Sequence, residues 1–149
     1  MEEKFKDVLE TDETIVEIIK PIKKRYWRQL AVPFAIPLLW PHFLILLVLS
    51  LFTLPYFIAK GYNNLFYAYT NKRLLIRSGI FGTTFHSLDY KDITATTIQV
   101  GFLDRNLNTG SLKFSNPSVH AGKPFSFLFI EKPYEKMRAI KEYISSVKD

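Results

Sequence analysis

Residues 65–81 read Leu-Phe-Tyr-Ala-Tyr-Thr-Asn-Lys-Arg-Leu-Leu-Ile-Arg-Ser-Gly-Ile-Phe, and the period of this stretch decides the class of the fold. Leu65–Thr70 is aromatic and strand-like, Asn71–Lys72 has turn chemistry, and Arg73–Ser78 resumes as a strand. That pattern is a β-hairpin. Gly79 and Gly82 bracket Ile80–Phe81 and make the next reversal, with Gly79 expected at positive φ, which glycine reaches without a Cβ clash.

Downstream, Phe85–Tyr90, Ile93–Phe102, Ser111–Ser115 and Phe125–Ile130 continue as β-prone runs, separated by the loops Asp104–Gly110 and Asn116–Pro124. Six short strands at close spacing argue for a barrel or a sandwich. The end of the chain changes period. Pro133 suits a first helical turn, and Met137, Ile140, Ile144 and Val147 recur three or four residues apart. An amphipathic helix over 133–147 is expected to cover one opening of a barrel.

Upstream, Leu30–Ala59 contains no Asp, Glu, Lys or Arg. A membrane span needs about 20 such residues, so this segment is expected to anchor the chain in a bilayer. The aromatic residues Tyr26, Trp27, Tyr56 and Tyr62 at its margins fit an interface. Pro33, Pro37 and Pro41 punctuate its first third. Tyr26–Trp40 reads as a short kinked helix, Pro41–His42 as a turn and Phe43–Tyr62 as a second helix, a transmembrane hairpin over 26–62. One tilted span over Leu38–Ala59 is the alternative. Three parts follow: an N-terminal segment 1–25, the membrane segment 26–62 and a β-domain 63–149.

Charge is unevenly placed. The net charge is +6, yet residues 1–19 hold two Lys against seven Asp/Glu, and Lys20, Lys23, Lys24, Arg25 and Arg28 follow at once. With Lys60, Lys72 and Arg73 beyond the apolar run, they form a basic collar, the pattern found beside an anionic leaflet. Basic clusters at both ends favour a hairpin with both termini in the cytoplasm. These eight residues are the candidate anionic-lipid contacts.

Tyr67–Phe81 resembles the signature of the bacterial pleckstrin-homology-like (PH-like) membrane proteins, a Tyr-x-x-Thr-x-x-Arg strand pair ending in Gly. Phe102–Leu112 is similar to that family's second motif, a loop with Arg and then Gly before a short strand. Glu13–Glu17, ahead of a basic and aromatic run, is similar to the family's start. The resemblance implies an α+β membrane protein with a seven-stranded bent β-barrel capped by the C-terminal helix, Thr14–Lys20 supplying the seventh strand. It marks Arg105, Asn108 and Gly110 as family-motif loop residues; Asn108 stands where the family often has Gly.

No catalytic constellation accompanies this fold. His42, His86 and His120 are far apart, there is no cysteine, and no phosphate loop, nucleophile elbow or dinucleotide fingerprint occurs. Asp104 beside Arg105 reads as a loop ion pair or an Asx-turn. The expectation is a non-enzyme without metal or cofactor: a membrane-anchored, multi-pass interaction module facing the cytoplasm. It would dock a protein partner or its own copies through sheet edges and the Asn116–Pro124 loop. The alternative is sensing of anionic lipid through the basic collar. Nucleic acid ranks third, since no RNA-binding stacking motif is present.

Overall fold

The computed structural model describes residues 2–35, 44–116 and 125–148. A 3-10 turn at Glu2–Lys4 leads to strand β1 (Ile15–Ile19), then helices α1 (Lys23–Ala35) and α2 (Leu44–Asn64). Strands β2 (Phe66–Thr70), β3 (Arg73–Ser78), β4 (Thr84–Asp89) and β5 (Ala95–Gln99) follow. The short helix α3 (Phe102–Arg105), β6 (Thr109–Ser115), β7 (Phe125–Glu131) and helix α4 (Pro133–Lys148) complete the chain.

The seven strands form two antiparallel sheets, β1-β2-β3-β4 and β5-β6-β7, rather than the closed barrel expected from sequence. The break has a local cause. After β4 the chain enters a 3-10 turn at Tyr90–Asp92, and the buried Tyr90 hydroxyl donates to the Thr70 carbonyl. Anchoring that ring in the core turns the backbone away from the ladder before β5 starts.

The transmembrane hairpin over 26–62 is also overturned: among the described residues no helix is long and apolar enough to cross a membrane. The multi-pass cell-membrane placement loses its basis with it. Length and charge explain the difference. Helix α1 has 13 residues, about 20 Å, and begins with Lys23, Lys24 and Arg25. In α2 the charge-free part Leu44–Ala59 spans about 24 Å, against a hydrocarbon core of roughly 30 Å. The remainder, with Lys60, Asn63 and Asn64, runs into the β-domain. There Ile58 is buried and the Asn64 amide donates to the Gly79 carbonyl. The expected turn at Pro41–His42 lies outside the described residues, as does part of the alternative span.

Between the sheets lies the main core. Tyr67 stacks on Phe127 with centroids 4.8 Å apart, and Phe114 meets Phe127 edge-on at 5.4 Å. Leu74, Leu88, Leu112 and Ile130 fill the space around them, and Met137 and Ile140 of α4 close it. Each such side chain contributes about 1.5–3 kcal/mol on burial. The four-stranded sheet is apolar on its other face as well, where Phe66, Ala68 and Leu75 are covered by Phe5 from the N-terminal segment. Residues 2–14 therefore act as a strap across the outer face of the sheet, with Phe5 completely buried.

Two glycines are required by geometry. Gly79 sits at φ 141°, and a Cβ there would lie 2.2 Å from the Gly82 carbonyl oxygen. At Gly110 a Cβ would lie 2.8 Å from Pro133 Cγ, because β6 passes directly over the first turn of α4. The second family motif thus places glycine where strand and capping helix meet.

Candidate interaction surface

Of the eight basic residues in the expected collar, two are committed inside the protein. Arg25 is buried on α1 and its Nε donates to Asp104 Oδ1, while Nη2 lies 3.4 Å from Oδ2. Its Nη1 donates to Gln29 Oε1 at 3.2 Å, and the guanidinium lies over Phe129, 4.9 Å from the ring centroid. Phe129 reaches that position from β7 at φ 58°, a left-handed conformation rare for an aromatic residue. Asp104 also accepts from the Gly101 amide at 2.9 Å and the Thr109 hydroxyl at 3.0 Å. Burial alone would raise its pKa; the donors from Arg25, Gly101 and Thr109 outweigh that and hold it below the usual value. The partner of Asp104 is therefore Arg25, 79 residues away, and not Arg105.

Arg73 is the second. Its Nε and Nη2 grip the buried Glu13 carboxylate at 2.9 and 2.7 Å, and Nη2 also donates to the Val8 carbonyl at 3.0 Å. Thr70 donates its hydroxyl to Glu13 at 2.7 Å. Here too burial pushes the carboxyl up, and the donors from Arg73, Thr70 and the Glu10 amide bring it below its ordinary value. This network fastens the strap to the β2–β3 turn. Lys72 pairs with Glu10 at 3.1 Å, an exposed contact beside it.

The other five keep their charge outward or against aromatic rings. Lys23, Lys24 and Arg28 are exposed on α1. Lys20, just past β1, lies over Tyr62 and Phe66 at 4.7 Å from each centroid. Lys60 lies 5.8 Å from the Tyr56 ring and 5.5 Å from Phe81. Phe81, at the tip of the β3–β4 turn, is 83% exposed and meets Phe57 of α2 edge-on.

The family-motif loop is split in role. Asn108 takes φ 49° and its carbonyl accepts the Lys132 amide at 3.0 Å, which ties the loop to the start of α4. Gly110 is buried under Pro133, and Arg105 is exposed at the rim of a shallow cavity with Asn108, Thr109 and Tyr134.

Sheet edges are the remaining candidate surfaces. In the three-stranded sheet β5 is an edge, its residues alternating exposed and half-buried. A groove of about 260 Å³ runs between this edge and α4, lined by Ile93, Thr94, Ala95, Thr96, Lys141 and Ile144, with Ser145 at its end. Neither α4's contribution nor the groove was visible from sequence; the signal lay in Ile144, one residue of the helix's apolar stripe. The Asn116–Pro124 loop lies, from 117 onward, outside the described residues.

A family model described as the bacterial PH domain matches residues 21–147. Solved structures similar to the chain include two from Shewanella species. One is a DUF1696 family protein with a pleckstrin-homology domain from Shewanella loihica, 12% identical, with a TM-score of 0.49, covering 97% of this chain and 90% of that one. The other is a pleckstrin homology domain from Shewanella amazonensis, 14% identical, with a TM-score of 0.48, covering 95% and 80%. No curated protein matches the sequence.

Proposed function

We propose that this chain, which belongs to the bacterial PH domain family, is an interaction module that docks an extended segment of a protein partner on the open edge of β5. The observation that carries this reading is the groove between β5 and α4. An edge strand offers unpaired backbone donors and acceptors to an added strand, and a flanking groove selects its side chains. Ile93 and Ile144 supply an apolar floor and Lys141 a positive rim, which suits a segment with an apolar residue next to an acidic one.

A photo-crosslinking residue at position 95 of the full chain, in living cells, tests this. The expected result is one discrete protein adduct, lost on Ile144→Glu and kept on Phe81→Ser. An adduct at twice the mass of the chain identifies the partner as a second copy. An adduct indifferent to Ile144→Glu, or no protein adduct at all, overturns the reading.

The basic collar supports a second reading, attraction to an anionic lipid surface. Lys23, Lys24 and Arg28 are exposed, and among the described residues no carboxylate pairs with them. Cosedimentation with phosphatidylglycerol vesicles, absent with phosphatidylcholine and abolished by replacing the three with Gln, is its expected signature.

A further inference from the structure

Farther along β5 and α4 from the groove lies a second cavity of about 480 Å³, walled by Ile98, Val100, Arg105, Asn108, Pro133 and Tyr134. The groove takes the start of β5 with Lys141, Ile144 and Ser145, whereas the cavity takes the end of β5 with the first turn of α4. Strand and helix therefore run side by side in opposite directions. From the middle of one lining to the middle of the other there are about four to five residues of strand and about ten of helix. At roughly 3.3 Å per strand residue and about 1.5 Å per helix residue, both counts give about 15 Å. Thr96 and Ile98 stand opposite the buried Phe114 and Leu112 of β6, so with Val100 they form one half-buried face. On α4, Tyr134, Arg138, Lys141 and Ser145 follow at intervals of four, three and four residues, a single stripe along the helix. One path joins the two openings.

The path is positive at both ends. Arg105, Arg138 and Lys141 are exposed, and among the described residues no carboxylate forms an ion pair with them. Asp104 also lines the cavity, but its carboxylate already serves Arg25, Gly101 and Thr109. Glu135, in the first turn of α4, pairs with Lys132 at 3.4 Å. Glu131 and Glu142 border neither opening. The uncompensated charges in the two linings are thus Arg105 and Lys141, about 15 Å apart along the strand. Tyr134, 66% exposed, gives the Arg105 end an aromatic wall.

We propose that Arg105 and its cavity form a second anchor for the docked segment, one that takes the carboxylate of an Asp or Glu four residues from the apolar anchor. This rests on the docking of an extended protein segment at β5 proposed above, and it adds the spacing and the acid. The apolar residue at position i fills the groove floored by Ile93 and Ile144. Side chains of an extended chain alternate, so those facing α4 are two, four or six residues apart. Two residues cover about 7 Å, four about 13 Å and six about 20 Å, and four is the spacing that matches the path. At the far end the guanidinium presents a fork of donors suited to a carboxylate, and the exposed Asn108 amide stands beside it in the same wall.

Selection of random twelve-residue peptides displayed on phage, against the full chain, reads this directly. The enriched peptides are expected to share an apolar residue at i and Asp or Glu at i+4. Selection against Arg105→Glu is expected to replace that acid with Lys or Arg at the same spacing. For the tightest peptide, made synthetically, exchanging the acid for Ala is expected to weaken binding about tenfold, and Arg105→Gln to abolish that difference. Arg105 is exposed and unpaired, so both variants are expected to melt at the temperature of the unaltered chain. Peptides enriched for the apolar residue alone, lost on Ile144→Glu and indifferent to Arg105, overturn the second anchor and leave the groove reading standing. An acid at no fixed spacing overturns it as well. No enrichment over Ile144→Glu overturns both readings. Self-association of the full chain that Arg105→Glu abolishes, with no peptide enriched, makes the occupant a second copy and overturns the acidic segment.

Discussion

Two buried carboxylates hold distant parts of this chain together, and they differ in how far their arginine partners are withdrawn from water. Arg25 and Asp104 keep only 9% and 8% of their side-chain surface exposed, whereas Arg73 keeps 14% and Glu13 none. The first pair locks α1 to the loop before β6, deep enough that neither charge has an alternative partner in solvent. The second locks the strap to the β2–β3 turn, where Arg73 also has Glu10 at 3.6 Å and the Val8 carbonyl to turn to. Losing the carboxylate therefore strands a charge in one case and merely loosens a segment in the other.

The largest expected effect is at Asp104. Asp104→Ala leaves the Arg25 guanidinium buried beside Phe129 with only Gln29 as acceptor, and breaking a buried pair in this way costs about 3–5 kcal/mol. Chemical denaturation of the full chain measures it, and the double variant Arg25→Met/Asp104→Leu is expected to recover most of the loss. Equal losses in single and double variants would mean that packing, and not the stranded charge, sets the cost.

Glu13→Ala comes next, at about 1.5–3 kcal/mol, the range for hydrogen bonds to a charged group. Its distinguishing mark is local: the strap amides of Phe5 and Val8 are expected to exchange faster while the amides of β6 and β7 keep their protection. Uniform loss of protection would show that the strap and the domain unfold as one unit.

This contrast also explains what was legible in the sequence. The hairpin Phe66–Ser78, the strands β4 to β7 and helix α4 were readable because each is a local pattern: period two, turn chemistry, or an apolar stripe after Pro133. The bacterial PH domain assignment was readable for the same reason, through short motifs in order. Partners were not. Arg25 and Arg73 look like surface charge when only neighbours in sequence are considered, and Asp104 looks paired with Arg105; the contacts that matter span 79 and 60 residues. The strap was hidden because one buried Phe5 among acidic residues has no period. The charge-free run Leu30–Ala59 misled because composition records neither where a helix begins nor how much of it runs into the β-domain.

Acid separates the two pairs more gently. Asp104 and Glu13 both have folded-state pKa values below their unfolded ones. Each therefore contributes stability that is fully present above its unfolded pKa, about 3.9 for Asp and 4.3 for Glu, and is lost as pH falls through the lower folded value. Stability is expected to hold from neutral pH to about pH 5 and to fall below about pH 4. Asp104→Asn is expected to flatten the steeper part of that fall and Glu13→Gln a smaller part. A midpoint of acid unfolding near neutrality would mean that histidine ionisation controls the transition instead.

The smallest effect is expected at Lys72, and it is the sharpest check on the comparison. Lys72 Nζ lies 3.1 Å from Glu10 Oε2, a distance as good as those inside the Glu13 network. The side chains, however, are 42% and 56% exposed. In that setting water competes for both charges, salt screens them, and two long side chains lose freedom on pairing, so exposed pairs contribute about 0–1 kcal/mol. Lys72→Ala is accordingly expected to change stability by less than about 0.5 kcal/mol and to leave strap exchange unaltered, although it removes a contact one residue from Arg73. If Lys72→Ala opened the strap as far as Glu13→Ala does, the strap would be held from its surface. Contact distance, and not burial, would then set what a pair contributes.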